Sequence, residues 1–368
     1  MMRFCFALTG AAFLFAFSFT SVHAQTCGSN YTVTAGDSLS KISRDAYSNP
    51  TRWSLIYYAN QSTIGGDPSL IHPGQQLRIP CTNSAETATA PEPAKSDAIT
   101  TASTSRTTVA SANSISLLTA DDYRPFTDRA LPKGGMITDI IRSALELQAQ
   151  SADAPAFDIT WVNDWSAHLN PLLAKQAFDL GFPWFQPDCD RYDDLDDPAR
   201  YRCDTFHFSE PVFEILVLFF TRKDSGFQFT SDDQVAGKRL CRPSGYFTFD
   251  LDKDGRNWVK EEKVTLLRPQ NVDECFQMLA RNEVDAVAIN EFTGRAAVSK
   301  LNMDNDVTVI EKPVSVLNLH VIVAKAHPRA PALLGHVNEA LKQIKSSGKY
   351  GEIIEHHLSA FWSAQDSS

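Results

Sequence analysis

Residues 82–113 read TNSAETATAPEPAKSDAITTASTSRTTVASAN. Twenty-three of these 32 positions are Ser, Thr, Ala or Pro, and Ile99 and Val109 are the only large aliphatic residues. A segment so poor in apolar side chains cannot bury enough surface to offset the chain entropy lost on folding, so a disordered linker is expected. As a flexible coil it would span roughly 30 Å, enough to decouple its neighbours. A stalk carrying O-linked sugars would have the same composition and also stay unfolded. The linker separates a small module, 27–81, from a larger part that begins at 114.

Ahead of the module, Arg3 supplies a positive charge, 4–20 is mostly apolar, and Val22-His23-Ala24 places small residues before a cut after Ala24. This is the pattern of a cleaved secretory signal at 1–24, with an uncleaved anchor as the alternative. Cleavage removes Cys5 and leaves six of the seven cysteines, an even number suited to an oxidising compartment, here the periplasm. No later stretch is apolar for long enough to span a bilayer. The net charge of −10 argues against a nucleic-acid partner, which would require a basic surface, and leaves small ligands open.

The module has only 55 residues and would be marginal on apolar burial alone. Cys27 and Cys81 stand at its two edges, which suggests a staple closing nearly all of it. A short strand at Tyr31 to Val33 leads into Gly36-Asp37-Ser38-Leu39, where Asp37 or Ser38 can cap a helix carrying Leu39, Ile42 and Ala46. A second helical pattern has Trp53, Ile56, Tyr57 and Asn60, and Pro73-Gly74 turns into a strand at Leu77 and Ile79. The expected order is βααβ.

These residues resemble the LysM family along the whole module: Tyr-x-Val-x-x-Gly-Asp-Ser-Leu, Trp-x-x-Ile, Ala-Asn and Ile-x-Pro-Gly-Gln-x-Leu-x-Ile-Pro occur in family order. The resemblance implies binding of N-acetylglucosamine glycans, in a bacterium peptidoglycan. The implied groove lies between Gly36, Asp37, Ser38 and Leu39 on one side and Asp67, Pro68, Leu70 and Ile71 on the other.

Beyond 113, strand and helix patterns alternate, which favours α/β lobes over an all-β fold. Six words in order resemble the amino-acid-binding family of two-lobed (type II) periplasmic solute-binding proteins. They are Asp122-Tyr123-Arg-Pro125-Phe126, 173–179, Phe208-Ser209-Glu210-Pro211, Gly237-Lys238-Arg239-Leu240, Val284-Asp285-Ala286-Val287 and 348–353. The resemblance implies a solute-binding domain at 114–365, with lobe one near 114–215 and 320–365 and lobe two near 217–317. Two strands would cross between lobes near 215–217 and 317–320, and the lobes would close around ligand. Cys189–Cys203 and Cys241–Cys275 pairs fit this arrangement, although six cysteines allow fifteen connectivities.

Carried over residue by residue, the family pocket falls on Tyr123 and Trp165 as stacking aromatics and on Arg191 as the clamp for a ligand carboxylate, with Arg200 or Arg202 as alternatives. Pro183, Trp184 and Gln186 stand where hydroxyl residues are usual, and Tyr246 and Phe247 follow Gly245 in place of a Thr pair. Asn290 takes the place of the ammonium-binding aspartate, with Glu291 next. A neutral Asn is a poorer partner for a buried ammonium, and the added aromatics favour flat or apolar ligand surface. The expected ligand is amino-acid-like, aromatic or peptide-like.

Asp250, Asp252, Asp254, Gly255 and Glu261 match the spacing of a twelve-residue calcium loop. Phe247, Leu251 and Trp258 share a helical stripe instead, so the segment reads either as a calcium site or as an exposed acidic helix or loop. No cofactor other than calcium is expected. Together these features point to a monomeric, wall-anchored, non-enzymatic solute-binding protein of ABC transport, with amino acids the implied cargo and an ABC permease or a membrane sensor as partner. The alternatives are a cyclohexadienyl-dehydratase-like enzyme with Glu291 as general acid, and a non-transport regulator of the cell wall.

Overall fold

A computed structural model describes residues 27–81, 114–149 and 155–366. The expected signal at 1–24 and linker at 82–113 lie outside the described residues. In the module, β1 (Asn30–Thr32) pairs antiparallel with β2 (Gln76–Arg78), Tyr31 opposite Leu77. Helices Leu39–Tyr47, Trp53–Ala59 and Gln61–Ile64 lie between them. Ser38 is the N-cap of the first, its side chain accepting from Lys41 N. Asp37 works inside the loop instead, accepting from Thr34 N at 2.7 Å and from the Tyr31 hydroxyl at 2.8 Å. In the second helix Trp53, Leu55, Ile56, Tyr57 and Tyr58 are all buried. A helix apolar on every side must be covered on every side. A 55-residue module cannot do that alone, so part of the cover comes from the rest of the chain.

Lobe one begins with parallel strands β3 (Ile115–Thr119), β4 (Phe157–Trp161) and β5 (Leu180–Phe185), ordered β4-β3-β5. The helix Met136–Gln148 between β3 and β4 buries Ile137, Ile140, Ile141, Ala144 and Leu145. After β6 (Phe206–Phe208) comes β7 (Phe213–Arg222), a ten-residue run of almost unbroken apolar character. Lobe two holds β8 (Arg239–Cys241), β9 (Thr265–Leu267) and β10 (Ala286–Asn290), parallel in the order β10-β8-β9. Then follow β11 (Val307–Val309) and the second ten-residue strand, β12 (Ser315–Ala324).

β7 and β12 join the lobes. They pair antiparallel from Phe213 opposite Leu319 to Val217 opposite Ser315. From Val217 onward β7 pairs with β10 of lobe two, and from Leu319 onward β12 pairs with β5 of lobe one. Each strand therefore changes partner midway, where it passes from one lobe to the other. The last helices, Ala330–Ser346 and Lys349–Asp366, return to pack on lobe one. Three disulfides form, Cys27–Cys81, Cys189–Cys203 and Cys241–Cys275, one in each folded unit.

Candidate functional site

A cavity of about 450 Å³ lies between the lobes, against Val217 of β7. Its walls come from the carboxyl ends of parallel strands: Tyr123 after β3, Tyr246 and Phe247 after β8, Asn290 at the end of β10. Open parallel sheets place ligands at that edge because strand ends and loops converge there. Gly245, at φ +82, makes the turn that delivers Tyr246 and Phe247 without lining the cavity itself. Asn290 caps the helix Glu291–Lys300, accepting from Thr293 N at 3.0 Å and donating to Thr293 Oγ1 at 2.8 Å.

Trp165 and Trp184 stand behind Tyr123 rather than in the wall. Trp165 meets Tyr123 edge-on at 6.2 Å and Trp184 edge-on at 5.6 Å, with His168 5.0 Å away. Burial lowers the pKa of His168, which keeps its ring neutral. The Tyr123 hydroxyl, Trp184 Nε1 and His168 Nδ1 are buried without a hydrogen-bond partner among the described residues. Three orphaned polar atoms in one aromatic cluster beside a cavity are costly in a closed protein. Pro183 and Gln186 flank this cluster on β5 and just after it, outside the cavity wall.

The residues missed by motif matching are the charged ones. Arg242, one residue past β8, is buried and lines the cavity. It binds Asp250 through both terminal nitrogens (2.5 and 3.1 Å), the Ala288 carbonyl through Nε (2.7 Å) and the Phe247 carbonyl (2.9 Å). Of its five N–H groups one remains. Lys300 pairs with Asp273 and Arg124 with Asp128, both at 2.6 Å. Asp122 alone among the charged lining residues has no ion-pair partner among the described residues.

Arg191 is not in this cavity. It lines a second one of about 270 Å³, where it binds Asp194 at 2.8 Å and the Asp252 carbonyl at 2.9 Å. Asp194 also pairs with Lys260, and Leu195 and Ala199 pack on Phe249. The disulfide-bound insertion thus reaches from lobe one to lobe two beside the cleft, where Phe247 lines both cavities. It spends Arg191 on that contact rather than on a ligand. Arg202 donates to the Phe185 carbonyl, and Arg200 to those of Tyr192 and Asp193.

The calcium spacing also resolves differently. Asp250 is fully buried against Arg242 and accepts from the Ser315 hydroxyl at 2.8 Å. Asp252 accepts from the backbone of Val259 and Lys260, and Glu261 pairs with Lys263. Asp254 turns the chain at φ +56. The four carboxylates face separate partners, and no group of three or more metal-ligating residues converges among the described residues. The Asp250–Arg242 pair, eight residues apart and invisible to the spacing motif, took the first ligand away.

In the module, Gly36 takes φ +88, and Asp67 holds its loop by accepting from Ser69 N and Oγ at 2.9 and 2.5 Å. Leu70 is 55% exposed, while Leu39 and Pro68 are buried and support the loops from beneath. A family model for the LysM domain matches residues 31–80. Residues 31–80 are a LysM domain. The chain is similar over 55 residues (44% identity) to the potassium binding protein Kbp of Escherichia coli O6:H1. That match covers 15% of this chain and 36% of the relative, so the chain spans about a third of the curated relative it matches. Among solved structures it is similar to a mutant ArgBP from T. maritima, with 21% identity and a TM-score of 0.45, covering 67% of this chain and 96% of that one. It is also similar to the periplasmic VFT2 domain of BvgS from Bordetella pertussis, with 16% identity and a TM-score of 0.46, covering 66% and 93%.

The LysM domain does not stand apart from the lobes, as a decoupling linker would have it. Its Tyr58 is buried against Phe213 and Phe292, ring centroids 5.2 Å from each. The Tyr58 hydroxyl donates to Glu291 Oε2 at 3.1 Å, and Arg295 pairs with Glu291 at 2.7 Å. Glu291, expected in the ligand pocket, is therefore turned to the LysM side. Asn290 is still extended, the last residue of β10, and neighbouring residues of extended chain point to opposite faces. Asn290 therefore enters the cleft and Glu291 leaves it.

Proposed function

We propose that the chain is a solute-binding protein of the cell envelope, held at peptidoglycan by its LysM domain, whose lobes close on an amino-acid-like or aromatic ligand bearing a positive charge. The charge pattern of the cleft carries the choice of ligand. Arg124, Arg242 and Lys300 each already have a carboxylate, which leaves a ligand anion without a free cation to meet. Asp122 has no ion-pair partner among the described residues, and Tyr123, Tyr246 and Phe247 present rings, a combination that suits a cation over an aromatic face. The unpartnered Tyr123 hydroxyl supports a polar ligand at the same wall. Three disulfides suit an oxidising compartment, and no helix among the described residues is long and apolar enough to cross a membrane. Such a binder would serve uptake through a permease or sensing. The dehydratase-like alternative needs Glu291 as an acid in the cleft, and Glu291 is bonded on the opposite side.

Calorimetric titration of the full chain with arginine, agmatine and phenylalaninamide, against benzoate and glutarate, tests this reading. A cation is expected to bind and to lose about tenfold in affinity in Asp122→Asn, the loss of one charge-assisted contact of about 1.4 kcal/mol. Binding by the anions alone reverses the ligand class.

A further inference from the structure

The LysM domain touches three parts of the two-lobed unit at once. On lobe two, besides the Tyr58–Glu291 bond, Arg295 donates to the Thr51 carbonyl at 3.0 Å. On the crossing strand β7, Leu216 N donates to the Tyr58 hydroxyl at 3.3 Å and Gln61 Nε2 to the Glu214 carbonyl at 3.1 Å. On the last helix of lobe one, Arg78 pairs with Glu355 at 2.5 Å and Ser359 donates to the Cys81 carbonyl at 2.6 Å. Opening a two-lobed cleft turns one lobe against the other about the crossing strands. Such a turn changes the separation of Glu291 and Arg295 on one lobe from Glu355 and Ser359 on the other. A single small domain, itself closed by Cys27–Cys81, grips both ends of that separation.

The grip is also connected to the glycan loops. Gln61, which binds β7, opens a one-turn helix whose end is held by Gly65 N donating to the Gln61 carbonyl at 2.8 Å. The Tyr57 hydroxyl donates to the Gly65 carbonyl at 3.2 Å, next to the buried Tyr58. Asp67, Leu70 and Ile71 follow within a few residues, and Gln75 ties their far end back to the Thr63 carbonyl at 2.8 Å. Moving the docking helix moves the anchor points of this loop.

We propose that the docked LysM domain is a strap across the hinge, so that its attachment sets the balance of open and closed lobes and links glycan occupancy to the cleft. The glycan half of this linkage rests on the wall-binding reading given above. Linkage is reciprocal: a glycan that alters cleft closure has its own affinity altered by cleft ligand by the same factor. The wall would then be an effector of solute capture as well as an attachment point.

The test uses the full chain with a dye pair on unnatural side chains at exposed Asp197 of lobe one and Asp224 of lobe two, reading interlobe distance by single-molecule energy transfer. Tyr58→Phe with Gln61→Ala removes three strap bonds while keeping the Tyr58 ring in its packing, and Arg78→Ala weakens the lobe-one end from an exposed position. Both variants are expected to raise the open population about twofold or more. N-acetylglucosamine pentamer is expected to shift the distribution in the parent chain and to shift it less in the strap variants. Its binding is followed separately by calorimetry. If the pentamer binds and the parent distribution stays still, the linkage is overturned. If the pentamer fails to bind, the wall-binding reading fails. The variants then decide the strap alone, and distributions identical to the parent overturn it.

Discussion

Asp250 and Glu291 are both fully buried carboxylates, each met by an arginine, on either side of the crossing strands. Asp250 binds Arg242 and Ser315, so all its partners belong to lobe two and the strand that leaves it. Glu291 binds Arg295 of its own helix and Tyr58 of the LysM domain, 233 positions earlier in the chain. The same local chemistry, a charge withdrawn from water and repaid in hydrogen bonds, holds one unit together in the first case. In the second it ties two units to each other. The difference lies in where the second partner comes from.

Arg242→Ala should break the comparison most severely, because it leaves Asp250 buried with only a serine. The expected loss is about 3–5 kcal/mol, seen as a lower urea midpoint. The double variant Arg242→Met, Asp250→Leu should recover most of that loss, since no buried charge is left unpaired. Recovery of none of it would mean that the pair is needed for more than neutralising its own charge.

Glu291→Gln keeps the shape and removes the charge. The loss should be smaller, about 1.5–3 kcal/mol, the range for a hydrogen bond to an ionised partner. Its signature should differ in kind: calorimetry is expected to show the LysM transition separating from that of the lobes. A single lowered transition would place Glu291 with Asp250, as a group serving one unit.

Glu214 sharpens the picture on the same strand. Burial raises its pKa above the ordinary glutamate value, with Lys345 opposing the shift. A carboxyl that holds its proton more tightly when folded contributes stability at low pH, and that contribution is lost as pH rises through the raised folded value. Glu214→Gln should therefore flatten the decline of stability above about pH 4.5, the unperturbed value, and raise stability slightly at pH 7. A variant with an unchanged pH profile would show that this carboxyl stays hydrated.

Some of this was legible in the chain itself. Short-range rules gave the elements: an N-cap at Asp37 or Ser38, the alternation after 113, the turn after Pro73. The resemblance to the solute-binding family put Tyr123, Tyr246, Phe247 and Asn290 in one pocket, and all four line the cavity between the lobes. Arg191 lies in the second cavity because the insertion beside it packs on lobe two, and an insertion has no counterpart in a motif. Arg242 carried one signal, an acid eight residues later, but nothing at that spacing separates a buried pair from an exposed one.

The helix Trp53–Ala59 held the clearest unread sign, five buried apolar or aromatic side chains around its whole circumference. Such a helix requires a second surface, yet composition cannot say which one. Periodicity, caps and turns depend on neighbours within a few residues, so the sequence alone determined the elements and their order. The meeting of Tyr58 with Glu291, and the turning of Glu291 away from the cleft, depend on surfaces brought together from distant positions. Only the tertiary structure decided those.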